Sequence, residues 1–325
     1  EPFSTLRETR REWKGRRGRD ARGWMAKTAI RIALSFTAWS IAATLVPPLA
    51  GLVSGPTLRG DCCAVRLGPQ SRAMATTCAP SRLLVLDFDW TVINSNSDTD
   101  VVEAFTDDVP ACRARLKAAG QSNAWTAGMD AELRKIHEQG VSKQQVEDFL
   151  HSIKIEPELS DALKLAHANG VIIHILSDAN TWFIDVILRA NGLLSCITHV
   201  CSNPCTFEAS GRIRVLPFHT TPHPAGSTSP PNLCKGRVME QWLQESGAVH
   251  EVFYAGDGAG DYEGAIRVPR GVIFARKNWS LHKRLSAAGA DGRGPVAEVR
   301  TWDTQAELAK LILAAVGLPP ETLAH

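Results

Sequence analysis

Apolar residues along this chain fall into two rhythms. Short unbroken runs near 82–88, 171–177, 197–202, 251–256 and 271–275 are rich in strand formers and read as buried strands. Between them lie stretches with helical spacing, for example Met129 to Gln139 and Ser142 to Ile153. Strands alternating with helices predict an α/β fold, a parallel sheet wrapped by helices. About 80 residues with helical periodicity and no strand-like run separate the first two strands, which predicts a helical insertion.

Polar residues cluster where the apolar runs stop. The first run ends in Asp87-Phe-Asp89-Trp90-Thr91, two carboxylates one residue apart. An i, i+2 spacing lets both look out from the same side of a strand end, where open parallel sheets bind ligands. Val171-Ile-Ile-His-Ile-Leu runs into Ser177-Asp178-Ala179-Asn180. Lys235 opens a helical stretch after Asn232-Leu-Cys234, and Val252-Phe-Tyr-Ala enters Gly256-Asp257-Gly258-Ala-Gly260-Asp261. Each has an ordinary reading by itself: a solvated loop, a helix cap, an exposed lysine, a glycine turn. Four in this order, each after an apolar run, point to an enzyme.

In that order the motifs resemble those of the haloacid dehalogenase superfamily of phosphatases, from about Ser81 to the C-terminus. The resemblance implies that Asp87 is a nucleophile that becomes an aspartyl phosphate. Asp89 would protonate the leaving alkoxide and then deprotonate the attacking water. Two nearby carboxylates cannot both be charged cheaply, so the proton is expected on Asp89. Mg2+ would be held by Asp87, the backbone carbonyl of Asp89 and the carboxylate of Asp257. Ser177 would donate to a phosphoryl oxygen, Lys235 would add positive charge, and Asp261 would orient Lys235 or a metal-bound water. Superfamily members whose chemistry is not alcohol release lack a carboxylate at the position of Asp89, so its presence favours a phosphatase.

Further motifs narrow the resemblance to the phosphoethanolamine/phosphocholine phosphatase family. These are Asn96-Ser97-Asp98, Ser177-Asp178-Ala179-Asn180, Ser202-Asn203-Pro204, Leu216-Pro217-Phe218-His219, Asn232-Leu-Cys234-Lys235 and Gly256-Asp257-Gly258. Relatives in that family act on phosphoethanolamine, phosphocholine, pyridoxal phosphate or thiamine monophosphate. The resemblance places Asp98 and Asp178 beside the substrate, where a carboxylate would suit an ammonium head group. Trp90, Trp125 or Trp182 could add a cation-π face. A catalytically silent phosphate-binding module is the alternative of another class. The chain departs from the family at Trp90, where relatives carry a charged or small residue, and a bulky ring there would narrow the pocket. It also carries Ala-Gly-Ser-Thr where relatives often have a Cys-x-x-Cys pair, leaving His219, His223 and Cys234 as possible ligands of a second metal or parts of a Pro-rich loop.

Composition changes the picture little. A chain of 325 residues, 44% apolar, accommodates a core domain and a cap. The formal charge of +2 gives no argument for a nucleic-acid partner, and the expected partner is a small phosphomonoester. Eight cysteines without regular spacing suggest a reducing compartment rather than a disulfide framework. The expected organisation is an N-terminal extension at 1–80, a catalytic core at 81–98 and 165–318, and a helical cap at 99–164. Arg7 to Arg31 is strongly basic, and 32–58 has no charged residue but contains Pro47-Pro48. That reads as a targeting or anchor segment, with membrane contact only in that case. It reads equally as a misassigned extension upstream of Met74, with a cytoplasmic protein starting there.

Overall fold

The computed structural model describes residues 81–323 apart from 224–226, 228, 230, 231, 246–248 and 293. The expectations for the N-terminal extension lie outside the described residues. No helix among the described residues is long and apolar enough to cross a membrane.

The predicted strands appear as β1 (Ser81–Leu86), β2 (Val171–Asn180), β3 (His199–Asn203), β6 (Val249–Gly256) and β7 (Gly271–Arg276). Leu84, Val85 and Leu86 have no exposed surface, which is the condition of a strand covered on both faces and the reason its sequence does not alternate. A further strand, β8 (Glu298–Trp302), closes the sheet and was not foreseen. It is an edge strand, exposed at its start and buried only at Trp302, so it never forms an apolar run. Also unforeseen is an antiparallel hairpin, β4 (Cys205–Phe207) with β5 (Ile213–Val215), whose strands are too short to carry a period.

Five α-helices stand between β1 and β2 among the described residues: α1 (Ser97–Phe105), α2 (Val109–Gln121), α3 (Trp125–Glu138), α4 (Lys143–Leu150) and α5 (Pro157–Ala168). Their starts follow from local chemistry. Asn96 and Asp108 accept the backbone N–H of Thr99 and Ala111, and Ser142 with Gln145 closes a reciprocal capping box at α4. The remaining helices are α6 (Thr181–Ala190), α7 (Lys235–Glu245), the single turn α8 (Tyr262–Ala265), α9 (Ser280–Ala290) and α10 (Gln305–Ala315). α5 packs on α10, each burying an aliphatic stripe, Leu159, Leu163 and Ala166 on one and Leu308, Ile312 and Leu313 on the other. The hairpin is tied instead to α3. Asp130 accepts Arg212 Nη2 and Arg214 Nε, both at 2.9 Å, and the N–H of Val215 at 3.1 Å.

The six-stranded sheet has the order β3-β2-β1-β6-β7-β8, every pairing parallel. The chain builds outward from β1 through β2 to β3, then returns to the other side of β1 and builds through β6 and β7 to β8. The direction reverses between β1 and β6. Ligands bind an open parallel sheet at the carboxyl ends of the strands flanking such a reversal. There Leu86 lies opposite Ala255, so Asp87 and Asp257 emerge side by side.

Candidate active site

Asp87 follows the last residue of β1, and its N–H bonds to Ala255 O at 2.9 Å, tying the end of β1 to β6. The chain then makes a π-helical turn over Phe88–Val92, within which Trp90 takes a left-handed conformation (φ 60°, ψ 5°). Asp89 is buried, and its Oδ1 accepts the N–H of Ser97 at 3.0 Å, at the N-terminus of α1.

Lys235, the first residue of α7, is 2% exposed and reaches across the sheet end. Its Nζ lies 2.9 Å from Asp87 Oδ1, 2.7 Å from Asp261 Oδ1 and 4.0 Å from Asp178 Oδ2. Asp261 Oδ1 also accepts the hydroxyl of Tyr254 at 2.8 Å, while Oδ2 accepts the N–H groups of Asp257 at 3.1 Å and Gly258 at 2.8 Å. This folding back of Asp261 requires glycine at 256, because a Cβ there would sit 2.5 Å from Asp261 Cγ.

The structure brings the residues expected to react, bind substrate or hold metal to one cavity of about 140 Å³: Asp87, Asp89, Asp98, Ser177, Asp178, Lys235, Asp257 and Asp261. Trp90, Asn96 and Trp125 line it as well. Trp125, at the start of α3, donates from Nε1 to Asp98 Oδ2 at 3.0 Å, and Asn180 donates to Asp98 Oδ1 at 3.4 Å. Trp182 is elsewhere, edge-on to Phe207 with Lys143 over both rings. His219, His223 and Cys234 do not converge as a donor set. His219 Nδ1 accepts the N–H of Cys234 at 3.1 Å, and Cys234 Sγ accepts the Ser229 hydroxyl at 3.3 Å.

Burial dominates the electrostatics. It pushes Asp87 up to about 6, helped by Asp261 and opposed by Lys235. Burial likewise pushes Asp98 and Asp178 up to about 6, and Asp257 up to about 9 with Asp87 and Asp261 adding to it. Asp89 is held well above the carboxylate range by burial and then by Asp98. Burial works against the charge on Lys235, but Asp261 and Asp87 overcome it and hold the ammonium well above its ordinary value. Carboxylates this reluctant to ionise want either a proton or a cation.

Among the described residues, Asp87, Asp257 and Asp261 form the one group of three or more His, Cys, Asp or Glu whose ligand atoms lie within 4.8 Å of one another. Both oxygens of Asp261 are already taken by protein donors, which leaves Asp87 and Asp257 as carboxylates able to bind a metal ion. Hard oxygen donors of this kind fit a small divalent cation.

Sequence reasoning missed Arg276, the last residue of β7. Its Nη1 donates to the carbonyl of Trp90 at 2.6 Å and its Nη2 to Asn94 Oδ1 at 2.8 Å. The signal was present, because Arg276 is a charge ending an apolar strand at the same edge of the sheet as Asp87 and Asp257.

A family model described as "Putative Phosphatase" matches residues 82–316. The chain belongs to this family. Among curated relatives, a phosphoethanolamine/phosphocholine phosphatase of Homo sapiens is 32% identical over 245 residues, 72% of this chain and 89% of that protein. An inorganic pyrophosphatase 2 of Arabidopsis thaliana is 29% identical over 245 residues, 72% and 83% of the two chains. A pyridoxal phosphate phosphatase of Mus musculus is 28% identical over 234 residues, 70% and 95%. A solved phosphoserine phosphatase holding a phospho-aspartyl intermediate analogue superposes with TM-score 0.45 at 15% identity, covering 69% of this chain and 96% of that one. The family and its named relatives make the chain a phosphoric monoester hydrolase and support the family resemblance read from the motifs.

Proposed function

We propose that the cavity hydrolyses small amine-bearing phosphomonoesters, phosphoethanolamine or phosphocholine, through a phosphoryl group carried on Asp87. The observation behind this reading is the charge pattern. Lys235 is the only cationic side chain among the described residues that line the cavity, against the carboxylates of Asp87, Asp89, Asp98, Asp178, Asp257 and Asp261. A phosphate needs compensation near Asp87, and a positively charged head group offsets Asp98 and Asp178 at the other side. A cavity near 150 Å³ holds a molecule of about benzene size, which suits a two-carbon amine ester better than a large metabolite.

Asp87, the backbone carbonyl of Asp89 and Asp257 would hold Mg2+, which would supply neutralisation of the nucleophile and of the phosphoryl oxygens. Asp87 attacks phosphorus as the ester bond breaks, and Asp89, kept protonated by its burial, gives its proton to the departing alkoxide. Asp89, now ionised, takes a proton from the water that cleaves the phosphoaspartate, which frees Asp87 and releases phosphate. Ser177 donates to a phosphoryl oxygen, and Lys235 holds Asp87 in line while Asp261 holds Lys235. Residues 99–164 act as a cap over the core of 81–98 and 165–318, with the hairpin carried on the cap through Asp130. The aromatic faces of Trp90 and Trp125 favour, as a second reading, a heteroaromatic ester such as pyridoxal phosphate or thiamine monophosphate.

Phosphate release by the full chain with magnesium, against phosphoethanolamine, phosphocholine, pyridoxal phosphate, thiamine monophosphate and phosphoserine, tests this. One amine ester is expected to turn over fastest, and Asp87→Asn to lose at least about a thousandfold. Trp125→Phe, which removes the bond to Asp98, is expected to raise KM for that ester about three- to tenfold with kcat little changed. Fastest turnover of pyridoxal phosphate or thiamine monophosphate would establish the second reading, and no turnover of any ester would end both.

A further inference from the structure

We infer that Arg276 is a positioning residue for Asp89, acting through the backbone of the turn that carries it; the inference rests on Asp89 being the proton donor proposed above. Arg276 does not line the cavity. It is 6% exposed and makes no ion pair among the described residues. Its guanidinium spends both ends on the segment after the nucleophile, with Nη1 on the Trp90 carbonyl and Nη2 on Asn94 Oδ1. Three indoles surround the same group, with ring centroids 4.5 Å away at Trp279, 5.1 Å at Trp302 and 5.9 Å at Trp90. A guanidinium buried without a salt bridge is costly, and burial does weaken its charge; the nearby carboxylates of Asp257 and Asp303 favour that charge, and the indole faces and oxygen acceptors add to it.

What the arginine holds is a backbone that would not stay by itself. Trp90 sits at φ 60°, a region disfavoured for any bulky residue. The bond from Trp90 N–H to Ser95 O at 2.9 Å closes one side of the turn, and the arginine closes the carbonyl side. The Trp90 ring is packed at 5.4 Å on Trp279. Asp89 lies one peptide before the Trp90 carbonyl that Arg276 holds, so the place of its Cα in the turn depends on that hold, while the N–H of Ser97 at 3.0 Å takes its Oδ1. The bulky departure at position 90 therefore comes with its own restraint: the indole packed on Trp279 is also a face for the arginine.

The test is the leaving-group dependence of the first step. A p-nitrophenolate leaves without help, whereas an alkoxide needs the proton of Asp89. Single-turnover rates of phosphoryl transfer in the full chain isolate this step from the later hydrolysis. Asp89→Asn is expected to slow transfer from phosphoethanolamine far more than transfer from p-nitrophenyl phosphate. Arg276→Met is expected to show the same signature, about 10- to 100-fold on the alkyl ester and at most a few-fold on the aryl ester. Arg276→Lys, which restores one donor, is expected to fall between. Equal losses on both esters in Arg276→Met, beside a discriminating Asp89→Asn, would overturn the inference alone and make the arginine a general structural support. Equal losses in Asp89→Asn would overturn the assignment of the proton donor, and the inference with it.

Discussion

Two sets of ion pairs, one lining the cavity and one between α3 and the hairpin, are built on opposite principles. At the sheet end, Lys235 and Asp261 are 2% and 1% exposed, and every oxygen of Asp261 is claimed by a donor of the core. Between α3 and the hairpin, Asp130 meets Arg212 and Arg214 with 18%, 14% and 34% of their side chains in water. The distances are nearly the same, 2.7 Å against 2.9 Å. The consequences are not, because breaking a buried pair strands a charge without solvent, while a wet pair is replaced by water at little cost. One arrangement fixes Asp87 and Lys235 at the sheet end, and the other leaves the hairpin able to adjust.

The largest effect should come from Asp261→Asn. It leaves volume almost unchanged but removes the charge that offsets Lys235 and one acceptor for Tyr254 or the two backbone N–H groups. A loss of about 3–5 kcal/mol is expected in urea unfolding, with phosphate release falling even in the folded fraction. A loss below about 1 kcal/mol would put the two sets of pairs in one class and break the comparison.

Next in size is the coupling of pH, metal and stability at the sheet end. Asp87, Asp98 and Asp178 are pushed up to about 6 by burial, whereas unfolded carboxylates titrate near 3.8. Between those values the folded chain holds protons that the unfolded chain has lost, so stability from these groups is full below about pH 4 and is lost as pH rises through about 6. Asp257, pushed up to about 9, extends the loss upward. Magnesium competes with those protons and should return the lost stability where the carboxylates are ionised. The Tm increment from magnesium is therefore expected to be larger at pH 8 than at pH 5, and smaller in Asp87→Asn at both. An increment independent of pH would mean that the cluster does not hold the ion.

Much of the sheet end was legible in the sequence for a physical reason. Asp87, Ser177 and Asp257 each follow an apolar run, and in a buried parallel sheet the strand ends are where polarity resumes. Arg276 ends such a run too, but a lone arginine carries no motif, and its partners at 90 and 94 are chosen by the strand order rather than by spacing. The conformation of Trp90 had no signal, since left-handed backbone is announced by glycine or asparagine and not by an indole. The hairpin was illegible because three-residue strands have no period and because Asp130, about 80 positions away, supplies its acceptor.

The smallest effect, and the one that sharpens the comparison most, is expected from Asp130→Asn. The variant loses the carboxylate that joins Arg212, Arg214 and the N–H of Val215, while Glu208 still accepts from both arginines at 3.2 and 2.9 Å. With a second acceptor in place and water at hand, global stability should change by less than about 1 kcal/mol. The hairpin should nevertheless open more often, because the amide can keep its oxygen on Val215 N–H and Arg214 but turns a donor toward Arg212, where the carboxylate's Oδ2 accepted. Amide exchange over 205–215 is expected to quicken severalfold while exchange in β1 and β6 stays as it was. If exchange quickens in β1 and β6 as well, the hairpin is coupled to the sheet end and the two regions are not built separately. If it quickens only in the hairpin, the hairpin opens independently of the sheet end, and KM and kcat for the ester should both stay as they were, because no residue of 205–215 lines the cavity.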